Sequence, residues 1–165
     1  MRLITALLLF CLISQTANSQ TLGDDGLHKS DWLEVTFKDL DEDLNSATSL
    51  GKRFFLIFEQ RGCIYCKKMH ETVFSDPSVH SFLKENFFAV QMNLFGDEEV
   101  TDFDGEVSTE KEMAKKWGVV FTPTILFFPK SNLENQSADK LAVLTMPGAF
   151  SKFTTLNLLN FVVEE

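Results

Sequence analysis

Two cysteines, Cys63 and Cys66, lie two residues apart in the stretch FEQRGCIYCKKMH. A pair with this spacing can bind a metal, close a structural disulfide or exchange electrons with other thiols. The stretch joins an apolar run to a helical pattern, so Cys63 is predicted at a helix N-terminus, where backbone N–H groups and the helix dipole favour a thiolate. The cationic side chains of Arg61, Lys67 and Lys68 act in the same direction. These features predict that Cys63 is the attacking sulfur and that Cys66 resolves the mixed disulfide.

The alternatives to redox exchange can be weighed from the residues around the pair. A structural zinc site needs four ligands, and the nearest extra candidates, His70 and His80, have a spacing unlike that of zinc fingers. Haem attachment needs a histidine directly after the second cysteine, where this chain has Lys67. A structural disulfide closing so small a loop removes little entropy from the unfolded chain. Redox exchange is therefore favoured, with no metal and no cofactor expected, and the metal clip and the structural disulfide remain as weaker alternatives.

Residues 1–19 have the pattern of a secretory signal peptide. A positively charged start precedes the apolar run LITALLLFCLIS, which is too short to span a bilayer, and the small residues of ANS allow cleavage before Gln20. Cys11 lies inside this run and is expected to be lost with it; a short N-terminal anchor is the alternative. We therefore expect a periplasmic or secreted protein, in a compartment where disulfides persist and a reducing thiol pair must itself be kept reduced.

The mature chain is strongly acidic. Removal of residues 1–19 takes away one of the 15 basic residues and none of the 24 acidic ones, which leaves 14 against 24 and a net charge of −10. Such a surface repels nucleic acid and anionic membranes. No nucleic-acid partner is therefore expected.

Length and composition indicate one domain, predicted at residues 32–165. The 165 residues are 44% hydrophobic and include 17 Phe, which is enough apolar material for a single packed core. Residues 20–31, QTLGDDGLHKSD, are polar and show no periodicity. They are predicted to form a flexible leader outside the core.

The elements that must hold the cysteines in place follow from hydrophobic periodicity. FKDLDEDLNSATSLGK has Phe37, Leu40, Leu44 and Leu50 at helical spacing before Gly51, and RFFLIFE is typical of a buried central strand. CKKMHETVF and PSVHSFLKENF are predicted helices, and FFAVQMNLF is a predicted strand. The cysteine pair would then lie at a strand-to-helix junction.

The same reasoning extends to the end of the chain. In CKKMHETVF, Cys66 and His70 share one helical face with two apolar residues, and further on Thr109 and Glu112 form a predicted capping box. TILFFP and KLAVLTM are predicted to pair as a hairpin, and FSKFTTLNLLNFVVEE is predicted as a closing amphipathic helix. Strands that alternate with helices imply parallel pairing, whereas the hairpin must be antiparallel. The predicted fold class is therefore α/β, with a mixed central sheet and helices on both faces.

A proline stands directly before the last predicted hairpin. Thr122-Pro123 precedes an apolar strand, where proline is unwelcome in a central ladder. Two interpretations are open: a cis X-Pro turn, or an ordinary trans proline that starts an edge strand.

Three segments, RGCIYCKKMH, VVFTPTILFF and MPGAF, together resemble the thioredoxin superfamily. In that superfamily a C-x-x-C motif at a helix start faces a cis-proline loop and a later glycine, and the resemblance covers about residues 35–165. FEQRGCIYCKKMH, VTDFDGE and FTPTILFF most resemble the SoxW-like thioredoxin-related proteins, which are exported bacterial proteins linked to sulfur oxidation. The resemblance implies a thioredoxin fold and a thiol:disulfide oxidoreductase that acts on partner proteins. We expect it to be a reductant of disulfides or oxidised thiols on those partners. The resemblance also implies a membrane thiol-reducing transporter as the electron donor, and we expect a monomer.

The resemblance implies roles for individual residues. By matching position, Cys63 is the nucleophile and Cys66 the resolving cysteine. Pro123 is the cis proline, and the backbone of Thr122 would pair with the bound substrate chain. Apart from the resemblance, Tyr65 and Phe121 are expected to give the substrate an apolar contact at the rim of the site, with core or rim packing as the alternative.

The chain also departs from the family pattern. Ile64 and Tyr65 stand where SoxW-like proteins more often have Pro-Tyr, and because this pair tunes the reduction potential, a disulfide oxidase or isomerase is an alternative to a reductant. A non-catalytic binding module, or a metal or thiol chaperone, is a further alternative. Ile57 replaces the buried acid that thioredoxins carry six residues before the first cysteine. Glu59 is the candidate proton relay if strand alternation stays regular to that point; otherwise it is a solvated carboxylate.

An acidic stretch around residues 94–112 lengthens the span between Cys63 and Pro123. An EF-hand calcium loop is excluded because Val100 and Lys111 occupy its first and last ligand positions. This insertion is predicted to shape the choice of partner.

Overall fold

The computed structural model describes residues 21–132 and 135–165, so the predicted signal peptide and Cys11 lie outside the described residues. The strands are β1 (Thr21–Leu22), β2 (His28–Lys29), β3 (Leu33–Glu34), β4 (Arg53–Glu59), β5 (Phe87–Asn93), β6 (Glu99–Thr101), β7 (Val107–Thr109), β8 (Thr124–Phe127) and β9 (Leu144–Pro147). The helices are α1 (Leu40–Ser49), α2 (Ile64–Met69), α3 (Pro77–Asn86), α4 (Glu110–Lys116), α5 (Ala138–Leu141) and α6 (Lys152–Glu164). A π-helical turn, His70–Phe74, continues α2.

A five-stranded mixed sheet lies at the centre of the fold, in the order β3-β5-β4-β8-β9. β4 pairs parallel with β5 and antiparallel with β8, and β9 adds antiparallel at the edge. Side chains of α1 and α4 pack on one face of the sheet, and those of α2, α3 and α6 pack on the other. The predicted α/β thioredoxin fold, with a mixed sheet between helices, is confirmed.

Strand β4 supplies apolar side chains to both layers of the core. Phe54, Leu56 and Phe58 belong to the cluster with α1 and α4, whereas Phe55 and Ile57 belong to the cluster on the opposite face. This division follows from the two-residue period of a strand. The strand keeps its register with β5 through its last residue, so the alternation extends to its C-terminal end.

Helix α1 begins later than the spacing of apolar residues predicts. The carboxylate of Asp39 accepts a hydrogen bond from the Glu42 backbone and caps the helix, so Phe37 lies before it and is 96% exposed. Leu50 is also exposed, directly before Gly51 with its φ of 70°. The helix and its glycine stop are confirmed, whereas the prediction that Phe37 and Leu50 belong to its apolar face is wrong.

Helix α4 starts at Glu110 after Thr109, but without the predicted capping box. The Thr109 side chain makes no capping hydrogen bond, and its Oγ1 is buried without a hydrogen-bond partner among the residues described. Glu112 instead contacts Lys115, 2.7 Å away, on the exposed side of the helix. The sequence pattern therefore locates the start of the helix but not its cap.

The end of the chain differs from the prediction in one detail. β8 and β9 pair antiparallel as predicted, and α6 follows. Lys140 and Leu141, which were predicted to begin the second strand, instead end the short helix α5. Within the described part of the chain, no helix has both the length and the hydropathy needed to cross a bilayer.

The segment before the domain is folded onto it. β1 and β2 form a two-stranded hairpin in which Leu27 is 3% exposed, and the Arg61 guanidinium donates to the Asp24 carbonyl at 2.7 Å. The prediction that residues 20–31 lie outside the core is therefore wrong for Leu27. Local polarity conceals the packing because, among the residues of this segment that the structure describes, Leu27 is buried whereas Leu22 is exposed.

Candidate active site

The loop after β4 places Cys63 at the beginning of α2. Gly62 adopts a φ of 74°, which residues with a Cβ rarely adopt. The Cys63 N–H donates a hydrogen bond to the Gln60 carbonyl at 3.2 Å. Cys63 is the N-cap of α2, and its Sγ accepts a hydrogen bond from the Cys66 backbone N–H at 3.0 Å. The sulfur therefore occupies the position that accepts negative charge at a helix N-terminus, as predicted.

The two cysteines are joined in a disulfide, with their Cα atoms 5.2 Å apart. Cys63 is partly exposed, whereas Cys66 is 1% exposed and faces the protein interior. An incoming thiolate can thus approach the Cys63 sulfur more readily than the Cys66 sulfur. The division into an attacking Cys63 and a resolving Cys66 stays a prediction, and this difference in exposure is what it requires.

The Thr122–Pro123 segment lies against the disulfide. Its peptide bond is cis, in agreement with one of the two interpretations of the sequence. The Thr122 hydroxyl donates to Cys63 Sγ at 3.2 Å, and the Thr122 carbonyl oxygen lies 3.6 Å from the same sulfur. The Pro123 carbonyl accepts a hydrogen bond from the Gly148 N–H at 2.7 Å, so the MPGAF segment is bonded to the cis-proline loop.

Apolar side chains around the disulfide point into solvent. Ile64 and Tyr65 are exposed on the first turn of α2, and Val120 and Phe121 are exposed just before the cis proline. Tyr65 is therefore not part of the core, and packing at the rim remains as the alternative to a substrate contact. These side chains provide a rim on which an apolar stretch of another chain could pack.

Glu59, at the end of β4, and His70, directly after α2, form a buried pair. Glu59 Oε1 lies 2.8 Å from His70 Nε2, and the two side chains are 1% and 0% exposed. Because β4 is regular to its end, Glu59 lies on the same face as Ile57. The alternative of a solvated strand-end carboxylate is therefore wrong.

Sequence reasoning did not identify His70 as the partner of Glu59. The available signal was the position of His70 four residues after Cys66, on the buried face of the helix. The pairing itself depends on how β4 packs against the helix, which the local sequence does not encode. Across the described residues, no group of three or more His, Cys, Asp or Glu side chains is arranged to hold a metal ion.

A mixed sheet with a C-x-x-C disulfide at a helix start, opposite a cis proline, defines a thioredoxin-fold protein. The family model described as thioredoxin-like domain matches residues 40–137, which is more than half of the chain. The chain therefore belongs to the thioredoxin-like domain family.

Solved structures agree with this fold assignment. A thioredoxin from Thermus thermophilus has a TM-score of 0.56 and 24% identity, over 75% of this chain and 83% of that chain. A thioredoxin-fold protein from Helicobacter pylori has a TM-score of 0.52 and 22% identity, over 69% of this chain and 70% of that chain. A comparison with curated protein sequences gives no significant match.

Proposed function

We propose that this protein is an exported thiol:disulfide oxidoreductase that reduces disulfides or oxidised thiols on partner proteins. The observation that carries the proposal is the environment of the Cys63 sulfur. It is partly exposed, caps a helix, and lies 3.0 Å from the Cys66 N–H and 3.2 Å from the Thr122 hydroxyl. Two donors directed at an accessible sulfur stabilise the thiolate that attacks disulfides.

The reaction proceeds through two exchanges. In the reduced protein, the Cys63 thiolate attacks one sulfur of the partner's disulfide, and the other partner sulfur leaves with the electron pair of the broken bond. Cys66 then attacks Cys63 Sγ, and the partner's second sulfur leaves. The products are the Cys63–Cys66 disulfide and two thiols on the partner, so two electrons have passed to the partner.

The substrate chain is proposed to bind along the cis-proline loop. The backbone of Thr122 pairs with an extended partner segment, Pro123 holds the loop against the disulfide, and Tyr65 packs on the segment from the side of α2. The exposure of Tyr65 and the short distance from Thr122 to Cys63 Sγ support this assignment.

The cellular setting is proposed from the sequence. The signal-like residues 1–19 favour a periplasmic or secreted location, and the likeness to SoxW-like proteins favours a link to sulfur oxidation. A monomer in that compartment needs an external source of electrons, which we propose to be a membrane thiol-reducing transporter.

Reduction of insulin disulfides by dithiothreitol tests the catalytic proposal. Wild-type protein is expected to accelerate the reaction, and Cys63→Ser to reduce the acceleration to background, because the attacking sulfur is gone. Cys66→Ser is the matched variant: it keeps the attack but is expected to accumulate a mixed disulfide with insulin, visible on a non-reducing gel. Acceleration by Cys63→Ser equal to that of the wild type would contradict the proposal.

The direction of electron flow is tested separately, by the reduction potential of the cysteine pair. Equilibration of the Cys63–Cys66 pair with glutathione buffers gives its reduction potential. A potential below that of the glutathione couple is expected for a reductant. A potential well above it would instead identify an oxidase or isomerase.

A further inference from the structure

A groove of about 530 Å³ opens beside β3, the edge strand of the five-stranded sheet. It lies between the β1–β2 hairpin, the loop that follows β3 and residues 96–98 of the insertion, and is named the edge groove below. Apolar residues contribute to its lining, among them Leu27, Leu33 and Val90. Neither Cys63 nor Cys66 lines it, so the edge groove is separate from the disulfide.

Acidic side chains predominate over basic ones in the edge groove. Its acidic residues are Asp25, Glu34, Asp97, Glu98 and Glu110. Lys29, Lys38 and Lys111 form ion pairs with members of this set, and Glu34 is the member for which the described residues provide no ion pair. Five carboxylates and three ammonium groups leave a net charge of −2. The edge groove therefore attracts positively charged groups.

Two apolar side chains project into solvent beside this groove. Val35 lines the groove and is 100% exposed, and Phe37, two residues further on, is 96% exposed. A sheet edge that only had to resist aggregation would carry charged side chains at these positions. Exposed apolar side chains next to a groove with a polar rim are typical of a surface that another chain covers.

The loop that presents these side chains is fixed by hydrogen bonds. The Thr36 hydroxyl donates to the Asp43 carboxylate at 3.0 Å and accepts from the Lys38 N–H at 3.1 Å. The Thr101 N–H, in β6, donates to the Lys38 carbonyl at 3.0 Å. Lys38 adopts a φ of 58°, which residues with a Cβ rarely adopt, so the surrounding contacts hold the loop in this conformation. Binding to a loop that is already ordered loses less conformational entropy.

The edge groove lies at the same edge of the sheet as the cysteine pair. β3 and β4 both pair parallel with β5, so the C-terminal ends of the three strands lie together. Cys63 follows β4, and residues of the groove follow β3 and β5. The hairpin connects the two sites, because Asp25 lines the groove and the Asp24 carbonyl accepts from Arg61. A chain bound in the groove is therefore held near Cys63, which raises its effective concentration there.

We propose that the edge groove docks an extended segment of a partner protein that carries both apolar and basic side chains. The apolar side chains of the segment pack on Val35 and Phe37, and a lysine or arginine approaches Glu34. A second copy of this chain is disfavoured as the occupant, because it is acidic and brings like charges together. Docking transfers no electrons, so this inference goes beyond the proposed function.

Fluorescence anisotropy of a labelled peptide tests the docking. The probe is a cysteine-free peptide of alternating lysine and leucine residues, titrated with the full mature chain at about 150 mM salt. The protein is used in its disulfide form, so no thiol exchange contributes to the signal. The same peptide with glutamate in place of lysine is expected to bind at least about tenfold more weakly, because its charge matches that of the groove.

Substitutions in the groove are compared with substitutions elsewhere on the surface. Phe37→Ser is expected to weaken binding of the lysine peptide by about tenfold, and Glu34→Gln by about threefold. Phe153→Ser, at a 73% exposed position on α6, and Glu85→Gln, on α3, are the matched controls and should stay within about twofold of the wild type. Circular dichroism shows which variants are folded, and Glu34→Gln decides the matter if Phe37→Ser does not fold.

Three results would overturn the docking site. The first is no binding of the lysine peptide. The second is binding that the groove variants weaken no more than the controls do, which would show general attraction to an acidic surface. The third is a dimer in sedimentation velocity that Phe37→Ser dissociates, since the groove would then belong to a second copy. The insulin assay judges the proposed function separately, so either proposal can fail while the other stands.

Discussion

The Thr122 hydroxyl is the side-chain donor that faces the Cys63 sulfur, at 3.2 Å. When the disulfide is reduced, this sulfur can carry a negative charge, and a hydrogen bond to a charged acceptor contributes about 1.5–3 kcal/mol. The Cys66 N–H, at 3.0 Å, provides a second donor from the helix. The two donors come from segments far apart in the chain, so the thiolate gains both only when the chain is folded.

Thr122→Val is expected to make the reduced Cys63 less reactive. Loss of one donor to the thiolate should slow alkylation by iodoacetamide near pH 6 by about tenfold to a hundredfold. Thr124→Val is the matched control, because the Thr124 hydroxyl donates to the Phe121 carbonyl and not to the sulfur. Equal alkylation rates in wild-type protein and Thr122→Val would show that the hydroxyl does not stabilise the thiolate.

At the scale of elements, α1 contains a buried acid that opposes stability at neutral pH. Asp43 is 5% exposed, and its carboxylate accepts from the Thr36 hydroxyl at 3.0 Å. Burial, with a further contribution from the nearby Asp39 and Glu42, raises the pKa of Asp43 to about 6, against 3.8 for the free side chain. The folded chain therefore holds the Asp43 proton at a pH where the unfolded chain has lost it.

Asp43→Asn is expected to stabilise the protein at high pH but not at low pH. Between the free and folded pKa values the folded state binds more protons, so the free energy of unfolding falls as the pH rises through this window. The amide removes that loss, and we expect a gain of about 1–3 kcal/mol at pH 8 and little change near pH 4.

Urea unfolding at the two pH values measures the effect of Asp43→Asn. Glu85→Gln, which neutralises an exposed carboxylate on α3, serves as control and should shift neither curve by more than about 0.5 kcal/mol. A gain of equal size at both pH values would argue against a raised pKa as the cause.

For the whole molecule, the acidic insertion is part of the core. β6 and β7 form a hairpin within residues 94–112, and Val100 and Phe103 are fully buried. The Phe103 ring packs edge-on against Phe128 at 5.0 Å and Phe54 at 6.4 Å. The sequence predicts that this insertion influences the choice of partner. Because Val100 and Phe103 anchor it in the core, that influence would come from its exposed residues.

Phe103→Ala is expected to destabilise the entire domain. Removal of a fully buried aromatic side chain costs about 3–5 kcal/mol, and one shared core should unfold in a single transition. Phe95→Ala is the matched control, since Phe95 is exposed in the same insertion and should change stability by less than about 1 kcal/mol. Guanidinium unfolding followed by tryptophan fluorescence measures both. A separate early transition in the Phe103 variant would contradict an integrated insertion.

Local patterns in the sequence predicted much of the secondary structure of this protein. The Phe-rich run of β4, the helix after Cys63 and the glycine stop of α1 each depend on residues that are close in the chain. The spacing of apolar residues shows which side chains of a strand or helix are buried. The α/β fold class and the position of the cysteine pair followed from that spacing. The cis state of Pro123 did not follow from its neighbours, which fit either isomer, but from the resemblance to thioredoxins, and the peptide bond is cis in the structure.

Tertiary structure decided which polar residues are buried and what they contact. Residues 20–31 looked like a solvated leader, yet Leu27 is in the core and the hairpin stacks on His70. Glu59 looked like either a relay or a surface carboxylate, and its pairing with His70 depends on how strand and helix pack. The burial of a polar side chain leaves no periodic signal in the sequence. The free-energy cost of burying it is offset by hydrogen-bond partners that lie far away in the chain. The sequence by itself therefore determined where the cysteine pair and its supporting strand and helix lie, whereas the folded structure determined which polar groups surround the pair.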